Sequence, residues 1–202
     1  ITDEFIETIR TEKKICHYID MPIQHASDKI LKAMGRRTNN AELRNIISKL
    51  RKEIPDICLR TTLITGFPGE TEEDHHILLD FIDEMEFDRL GVFTYSPEED
   101  TKAASLDNQV DEEVKLCRKD EIMELQQEIS MDKSERLVGK EFEVIIEGKA
   151  SDEDVYVGRS YMDAPSVDGY VFINSEEELM SGDFAKVRIV KAMEYDLIGE
   201  LI

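Results

Sequence analysis

The chain has 202 residues, 41% of them hydrophobic, with 25 basic against 46 acidic side chains and a net charge of −21. That is enough chain for one large or two small domains with real cores, and no apolar run approaches the roughly 18 residues of a membrane span. The charge opposes a polyanion as partner and suits a basic protein, or a solvated surface with no partner at all.

In chain order, residues 3–12 read as a short helix with Phe5, Ile6 and Ile9 on one side. Residues 15–23 alternate as a strand, frayed or bent at Pro22, which has no N–H to give to a ladder. Ser27 is placed to cap a short helix carrying Ile30, Leu31 and Met34, which Gly35 ends. Asn39 and Glu42 form a capping-box pattern, and Leu43, Ile46, Ile47 and Leu50 follow at helical spacing up to Pro55. A buried strand over 57–65 ends in Gly66-Phe67-Pro68-Gly69. Glycine there allows backbone to approach a ligand closely, or a turn that no Cβ permits, and Phe67, preceding Pro68, is held extended. Thr71 suits an N-cap, and Glu72, Glu73 and Asp74 suit the positive end of a helix over 71–86. Ile77, Leu78, Phe81, Ile82 and Met85 form its apolar stripe, with His75 and His76 expected to face solvent and not to form a metal site. Residues 89–95 are a third strand, closed by Ser96-Pro97. The order α-β-α-β-α-β implies parallel pairing and ligands beyond the C-terminal ends of the strands. It leaves an open sheet edge on the N-terminal side that further units of the same sheet would cover, so a piece lacking them is expected to be marginally stable or to pair with itself.

Residues 98–111 read as a polar loop and 112–137 as a long connecting helix with Leu116, Ile122, Met123, Leu125 and Ile129 as its apolar positions. After Gly139 short segments alternate with period two: Phe142-Val144-Ile146, Val155-Val157, Tyr170-Phe172, Ala185-Val187-Ile189 and Leu197-Leu201. Their spacing suits a small antiparallel barrel or sandwich. Three parts follow: an α/β part over 1–111, the connecting helix over 112–137 and a β-barrel over 138–202. Residues 137–202 hold fifteen acidic residues against six basic ones, a net charge of −9, which suits a basic protein partner better than tRNA. Cys16, Cys58 and Cys117 are odd in number and far apart. They make neither a disulfide framework nor a metal knuckle and point to a reducing cytoplasm. No signal peptide is visible, and a first residue Ile1 in place of Met is expected of part of a longer protein.

Three stretches carry a family resemblance: Tyr18-Ile-Asp-Met-Pro-Ile-Gln-His25, Arg60-Thr-Thr-Leu-Ile-Thr-Gly-Phe-Pro-Gly-Glu70 and Arg89-Leu-Gly-Val-Phe-Thr-Tyr-Ser96. They resemble the last three barrel strands of radical S-adenosylmethionine methylthiotransferases, and residues 138–202 resemble the TRAM β-barrel that ends those enzymes. Gly158-Arg-Ser-Tyr-Met-Asp-Ala-Pro-Ser-Val-Asp-Gly169 is similar to the branch that modifies the twelfth small-subunit ribosomal protein. The resemblance implies the C-terminal half of a partial (β/α) barrel followed by the TRAM barrel. The implied enzyme inserts a methylthio group at the β-carbon of an aspartate, using S-adenosylmethionine and two 4Fe-4S clusters. The family's CxxxCxxC motif is not in this sequence, so the cluster ligands are expected upstream, in the N-terminal half of the same enzyme. The alternatives are a tRNA adenosine methylthiotransferase of the same family and a substrate-docking piece inert on its own.

The resemblance also implies cofactor-binding residues. Gln24 meets the ribose or methionyl part, an amide offering donor and acceptor together. Ile64, Gly66 and Phe67 lie against adenine, Thr62 points into the barrel, and Tyr95 with Ser96 bounds the adenine. Arg60 either takes the methionyl carboxylate or closes a salt bridge at the start of its strand. Arg36 and Arg37 either meet an acidic substrate or cofactor or remain solvated, and His25 either faces substrate or satisfies local backbone. No catalytic or metal-ligating residue is assigned within this chain. Gln24, Gly66 and Tyr95 are expected to share one cleft.

Overall fold

The structure is a computed structural model that describes residues 1–150 and 154–202. It divides into two compact units, one of residues 1–13 and 19–126, the other of 14–18 and 127–202.

The first unit is built on a three-stranded sheet of order β1-β2-β3: Tyr18–Asp20, Cys58–Thr65 and Arg89–Thr94. β2 is central and runs parallel to β3, with Arg60 opposite Arg89 and Thr65 opposite Thr94. The first strand is shorter than residues 15–23. Pro22 cannot donate to the ladder, so pairing thins to a Met21 N–H bond to the Arg60 carbonyl (2.9 Å) and a parallel bridge between Gln24 and Leu63. Four α-helices and the first half of a fifth accompany the sheet: α1 Asp3–Thr11, α2 Asp28–Ala33, α3 Asn40–Glu53, α4 Glu72–Met85 and α5 Glu112–Glu135.

Local signals set the helix ends. Asn39 and Glu42 make a reciprocal capping box on α3, and Thr71 with Asp74 makes another on α4, each satisfying orphan N–H groups of a first turn. Ser27 departs from expectation: its hydroxyl makes no cap bond on α2 and donates to Asp74 Oδ1 at 2.6 Å. His75 departs too. It is fully buried on α4, and its Nε2 meets Glu121 Oε2 of α5 at 2.7 Å, while His76 is exposed. Strand β2 alternates cleanly. Leu59, Thr61, Leu63 and Thr65 are buried on one face, while Arg60, Thr62 and Ile64 are half-buried on the other. Phe93 stands opposite Ile64 on that open face and is 62% exposed.

The helix read as a connector belongs in its first half to the first unit. Its Lys115, Arg118, Ile122 and Gln126 recur at helical spacing and are all buried. Gln126 donates to the Phe87 carbonyl at 2.9 Å.

The second unit is a closed five-stranded barrel, β4 Glu141–Lys149, β5 Val155–Arg159, β6 Val171–Asn174, β7 Phe184–Ala192 and β8 Leu197–Leu201, in the order β4-β5-β6-β8-β7. β4 pairs with β7, so no edge is left open. The pairs are antiparallel except β6 with β8, which is parallel. In β5 and β6 the core is filled by Tyr156, Val171 and Ile173, one residue out of phase with the Val155-Val157 and Tyr170-Phe172 pattern. Val144, Ile146, Val187, Ile189, Ala192 and Leu197 complete that core.

Candidate functional site

A cleft of about 400 Å³ opens in the first unit where the strands end, within the size range of small-molecule sites. Gln24, Ile64 and Tyr95 line it from the ends of three successive segments of the sheet, and Phe67 joins them from the turn after β2. Ala33, Met34, Gly35 and Arg36, at the C-terminal end of α2, form another wall, and Lys102 with Ala103 close it from the loop after β3. Phe67 and Tyr95 meet edge to face, with ring centroids 5.2 Å apart at 69°, an attractive arrangement for aromatic pairs. The Tyr95 hydroxyl is buried without a hydrogen-bond partner among the described residues.

Gln24 is set by its backbone. Its N–H donates to the Thr62 carbonyl (3.0 Å), and its own carbonyl accepts from Ile64 N–H (2.8 Å). Its φ of +72° lies in the left-handed region, where a non-glycine side chain costs about 1–2 kcal/mol. The bridge to β2 holds that geometry and delivers the amide to the cleft.

Of the expected residues, Gln24, Ile64, Phe67 and Tyr95 come together. Thr62 and Gly66 are not in the lining. The Thr62 hydroxyl accepts from Arg60 Nη1 at 3.3 Å on the open sheet face. Gly66 has a φ of +75°, and a Cβ built on it would lie 2.2 Å from Lys115 Cγ, so a lysine stem closely approaches its backbone on that side. Arg60 pairs with Asp20 at 2.8 Å. Arg36 reaches the cleft, while Arg37 and Ser96 are exposed. His25 is fully buried and serves its neighbourhood. Its Nδ1 accepts the Ser27 N–H at 2.9 Å, which leaves the ring proton on Nε2, 3.6 Å from Glu70 Oε2.

Glu70 organises the turn beneath the cleft. Its carboxylate accepts the N–H groups of Gly66 (2.7 Å) and Phe67 (3.2 Å) and the Thr65 hydroxyl (3.2 Å), and it pairs with Arg118 at 3.0 Å. Burial alone would raise its pKa, but His25, Arg118 and the Gly66 N–H outweigh that and lower it below the ordinary carboxylate value. Asp74 ties the opposite wall down. It accepts from Ser27 on the α2 side, from Lys29 at 2.7 Å and from Thr71, and Lys29 also donates to the Gly69 carbonyl at 2.8 Å. Burial would raise the Asp74 pKa; these donors hold it far below the usual range. None of this was legible from the turn alone. The available signal was the spacing of Lys115, Arg118 and Gln126 on one face of α5, polar residues at the positions of a buried stripe.

The arrangement can hold a ligand with a flat apolar part against Ile64, Phe67 and Tyr95, and polar groups against the Gln24 amide. Arg36 and Lys102 make no ion pair among the described residues, so an anionic group on that ligand would be matched. The cysteines offer no comparable site. Cys58 is buried and Cys16 and Cys117 are exposed, and among the described residues no three His, Cys, Asp or Glu side chains gather as a metal site. No helix among the described residues is long and apolar enough to cross a membrane.

Residues 1–82 match the radical SAM superfamily and residues 138–202 match the TRAM domain. The chain is 59% identical over 98% of its length to the ribosomal protein uS12 methylthiotransferase RimO of Lachnoclostridium phytofermentans, and covers 45% of that protein. Proteins of the same name from Acetivibrio thermocellus and Clostridioides difficile are each 50% identical over the whole chain, again with 45% of their length covered. The chain therefore spans a little under half the length of these relatives, and over its own length it is similar to the corresponding part of ribosomal protein uS12 methylthiotransferases, with the radical SAM match at its start and the TRAM match at its end.

Proposed function

We propose that this chain is the part of a cytoplasmic methylthiotransferase that holds the adenosyl half of S-adenosylmethionine and recruits the substrate, an aspartate of ribosomal protein uS12. The whole enzyme replaces a hydrogen on the β-carbon of that aspartate with a methylthio group. The observation that carries this reading is the meeting of Gln24, Ile64, Phe67 and Tyr95 in one cleft at the strand ends. S-Adenosylmethionine fits the donors present: adenine against Ile64, Phe67 and Tyr95, ribose or methionyl oxygens at the Gln24 amide, and the carboxylate toward Arg36 or Lys102. Held by Gln24, Ile64, Phe67 and Tyr95, S-adenosylmethionine would supply, on one-electron reduction, the radical chemistry that removal of an unactivated hydrogen needs. The residues of this chain do not fit either 4Fe-4S cluster, whose ligands we place in the N-terminal half of the enzyme. What this chain contributes is binding, orientation and exclusion of water.

Full-length protein with reconstituted clusters, given S-adenosylmethionine and purified uS12, is expected to yield uS12 with one methylthio group in place of hydrogen, read by mass spectrometry. Unmodified uS12 under conditions that cleave S-adenosylmethionine would refute the assignment. Gln24→Ala is expected to weaken S-adenosylmethionine binding about tenfold, the worth of one or two polar contacts, without lowering the melting temperature, because the left-handed backbone is unfavourable for either side chain.

The tRNA reading is disfavoured by the −9 charge of residues 137–202. A barrel that gripped phosphates would be basic. Binding of uS12 to the full-length protein is expected to weaken steeply with added salt, while tRNA at micromolar concentration gives no shift on a native gel; a tRNA shift would reverse the choice.

A further inference from the structure

Lys115 and Arg118 sit one turn apart on α5, and each reaches a different strand end beside the cleft. Lys115 Nζ donates to the Tyr95 carbonyl at 3.0 Å and lies 5.6 Å from the centre of the Tyr95 ring. Its stem fills the space that a Cβ on Gly66 would need. Arg118 Nη1 donates to Glu70 Oε1 at 3.0 Å and to the Glu70 carbonyl at 3.4 Å. Glu70 in turn takes the Gly66 and Phe67 N–H groups. One helix face thus fixes Tyr95 through Lys115 and Phe67 through Arg118 and Glu70. Both cations are nearly fully buried, with side chains 6% and 7% exposed. Burying cations is a costly way to seal a helix onto a sheet, since apolar residues of similar volume are often as stable or more so. What the cations add, and apolar residues cannot, is directed bonds to the two backbone segments that carry the aromatic pair.

We propose that Lys115 and Arg118 are positioning residues that set the spacing of Phe67 and Tyr95 and so the affinity of the cleft for adenosyl ligands. This rests on the reading of the cleft as an adenosyl site. The test uses the full-length enzyme titrated calorimetrically with S-adenosylmethionine and S-adenosylhomocysteine, with melting temperature followed in parallel. Lys115→Met keeps the stem against Gly66 and removes the ammonium. It is expected to weaken both ligands about tenfold, a loss of about 1.4 kcal/mol, with little change in melting temperature. KM for S-adenosylmethionine should rise by the same factor with kcat held, and Lys115→Arg should recover most of the affinity. Arg118→Lys should give a smaller loss in the same direction. If Lys115→Met does not accumulate as folded protein, Lys115→Gln takes its place with the same expectation. Unchanged affinity in the variants, or losses that simply track melting temperature and are not recovered by Lys115→Arg, would overturn the proposal while leaving the site intact. Failure of the unaltered enzyme to bind either ligand would overturn the adenosyl reading, and this proposal with it.

Discussion

Glu70→Ala is expected to destabilise the first unit by about 3–5 kcal/mol, the usual cost of removing one partner of a buried ion pair, and to reduce S-adenosylmethionine binding beyond detection. The Glu70 side chain is fully buried. Removing it leaves Arg118, among the described residues, with the exposed Glu72 carboxylate at 3.3 Å and the Glu70 carbonyl. It also strips the Gly66 and Phe67 N–H groups of their acceptor, and buried donors without partners cost about 1–3 kcal/mol each. Phe67 is then no longer fixed against Tyr95, so the cleft loses a wall as well as the fold losing stability. Denaturant unfolding measures the first effect and calorimetric titration the second. Glu70→Gln separates charge from shape. Because the folded pKa of Glu70 is depressed, its contribution is fully present above the unfolded value of about 4.3 and fades as pH falls through the lower folded value. The stability gap between Glu70→Gln and the unaltered protein should therefore be constant near neutrality and narrow below about pH 4. A gap that widened on acidification would contradict the assignment of an ionised Glu70.

The second large effect is expected in the barrel. Gly169→Ala would place a Cβ 1.9 Å from the Tyr195 carbonyl oxygen and 3.2 Å from Asp196 Oδ1. Neither can yield cheaply. The Tyr195 oxygen is backbone, and Asp196 Oδ1 accepts the Tyr170 N–H at 2.7 Å. Leu197 N–H donates to the Tyr170 carbonyl at 2.9 Å, starting the parallel pairing of β6 with β8. An inserted methyl therefore pushes apart the one parallel pair that lets five strands close. A loss of about 3 kcal/mol, at the upper end for overpacked sites, is expected in denaturant unfolding of the second unit. Gly148→Ala, on the same barrel, with nothing within 4 Å of its Cβ and no left-handed backbone, serves as the contrast and should be neutral or stabilise by up to about 1 kcal/mol. Equal losses in the two variants would rule out the close approach at Gly169.

Much of the fold was legible because it is encoded locally. The capping box at Asn39, the N-cap at Thr71, the stop at Gly35 and the β2 strand each follow from a few neighbouring residues. The fraying of the first strand at Pro22 was legible from its missing N–H; hydrophobic alternation over-extended it at its start, since residues 15–17 lie outside β1. The parallel β6·β8 pair was not foreseen because chain order favours neighbours pairing antiparallel, and only the closed barrel brings β8 between β6 and β7. The phase of β5 and β6 was ambiguous in sequence: Val155 and Val157 alternate as well as Tyr156 and Gly158 do, and closure of the barrel decides between them.

In the site, Gln24, Ile64, Phe67 and Tyr95 were named from the family resemblance, whereas Ala33, Met34, Lys102 and Ala103, which also line the cleft, were not. Lys115, Arg118 and Gln126 were not singled out, because their partners Glu70, Tyr95 and Phe87 lie tens of residues away in sequence. Gly66 was assigned to a ligand because glycine signals a close approach without saying to what, and on one side the neighbour is Lys115.

The central claim is that the cleft at the strand ends holds the adenosyl group, and a crystal structure of the full-length protein with S-adenosylmethionine tests it most directly. The account predicts the adenine packed against Ile64, Phe67 and Tyr95 with the Gln24 amide bonded to the ribose or methionyl part. Density for the ligand elsewhere, with this cleft filled only by water, would contradict it.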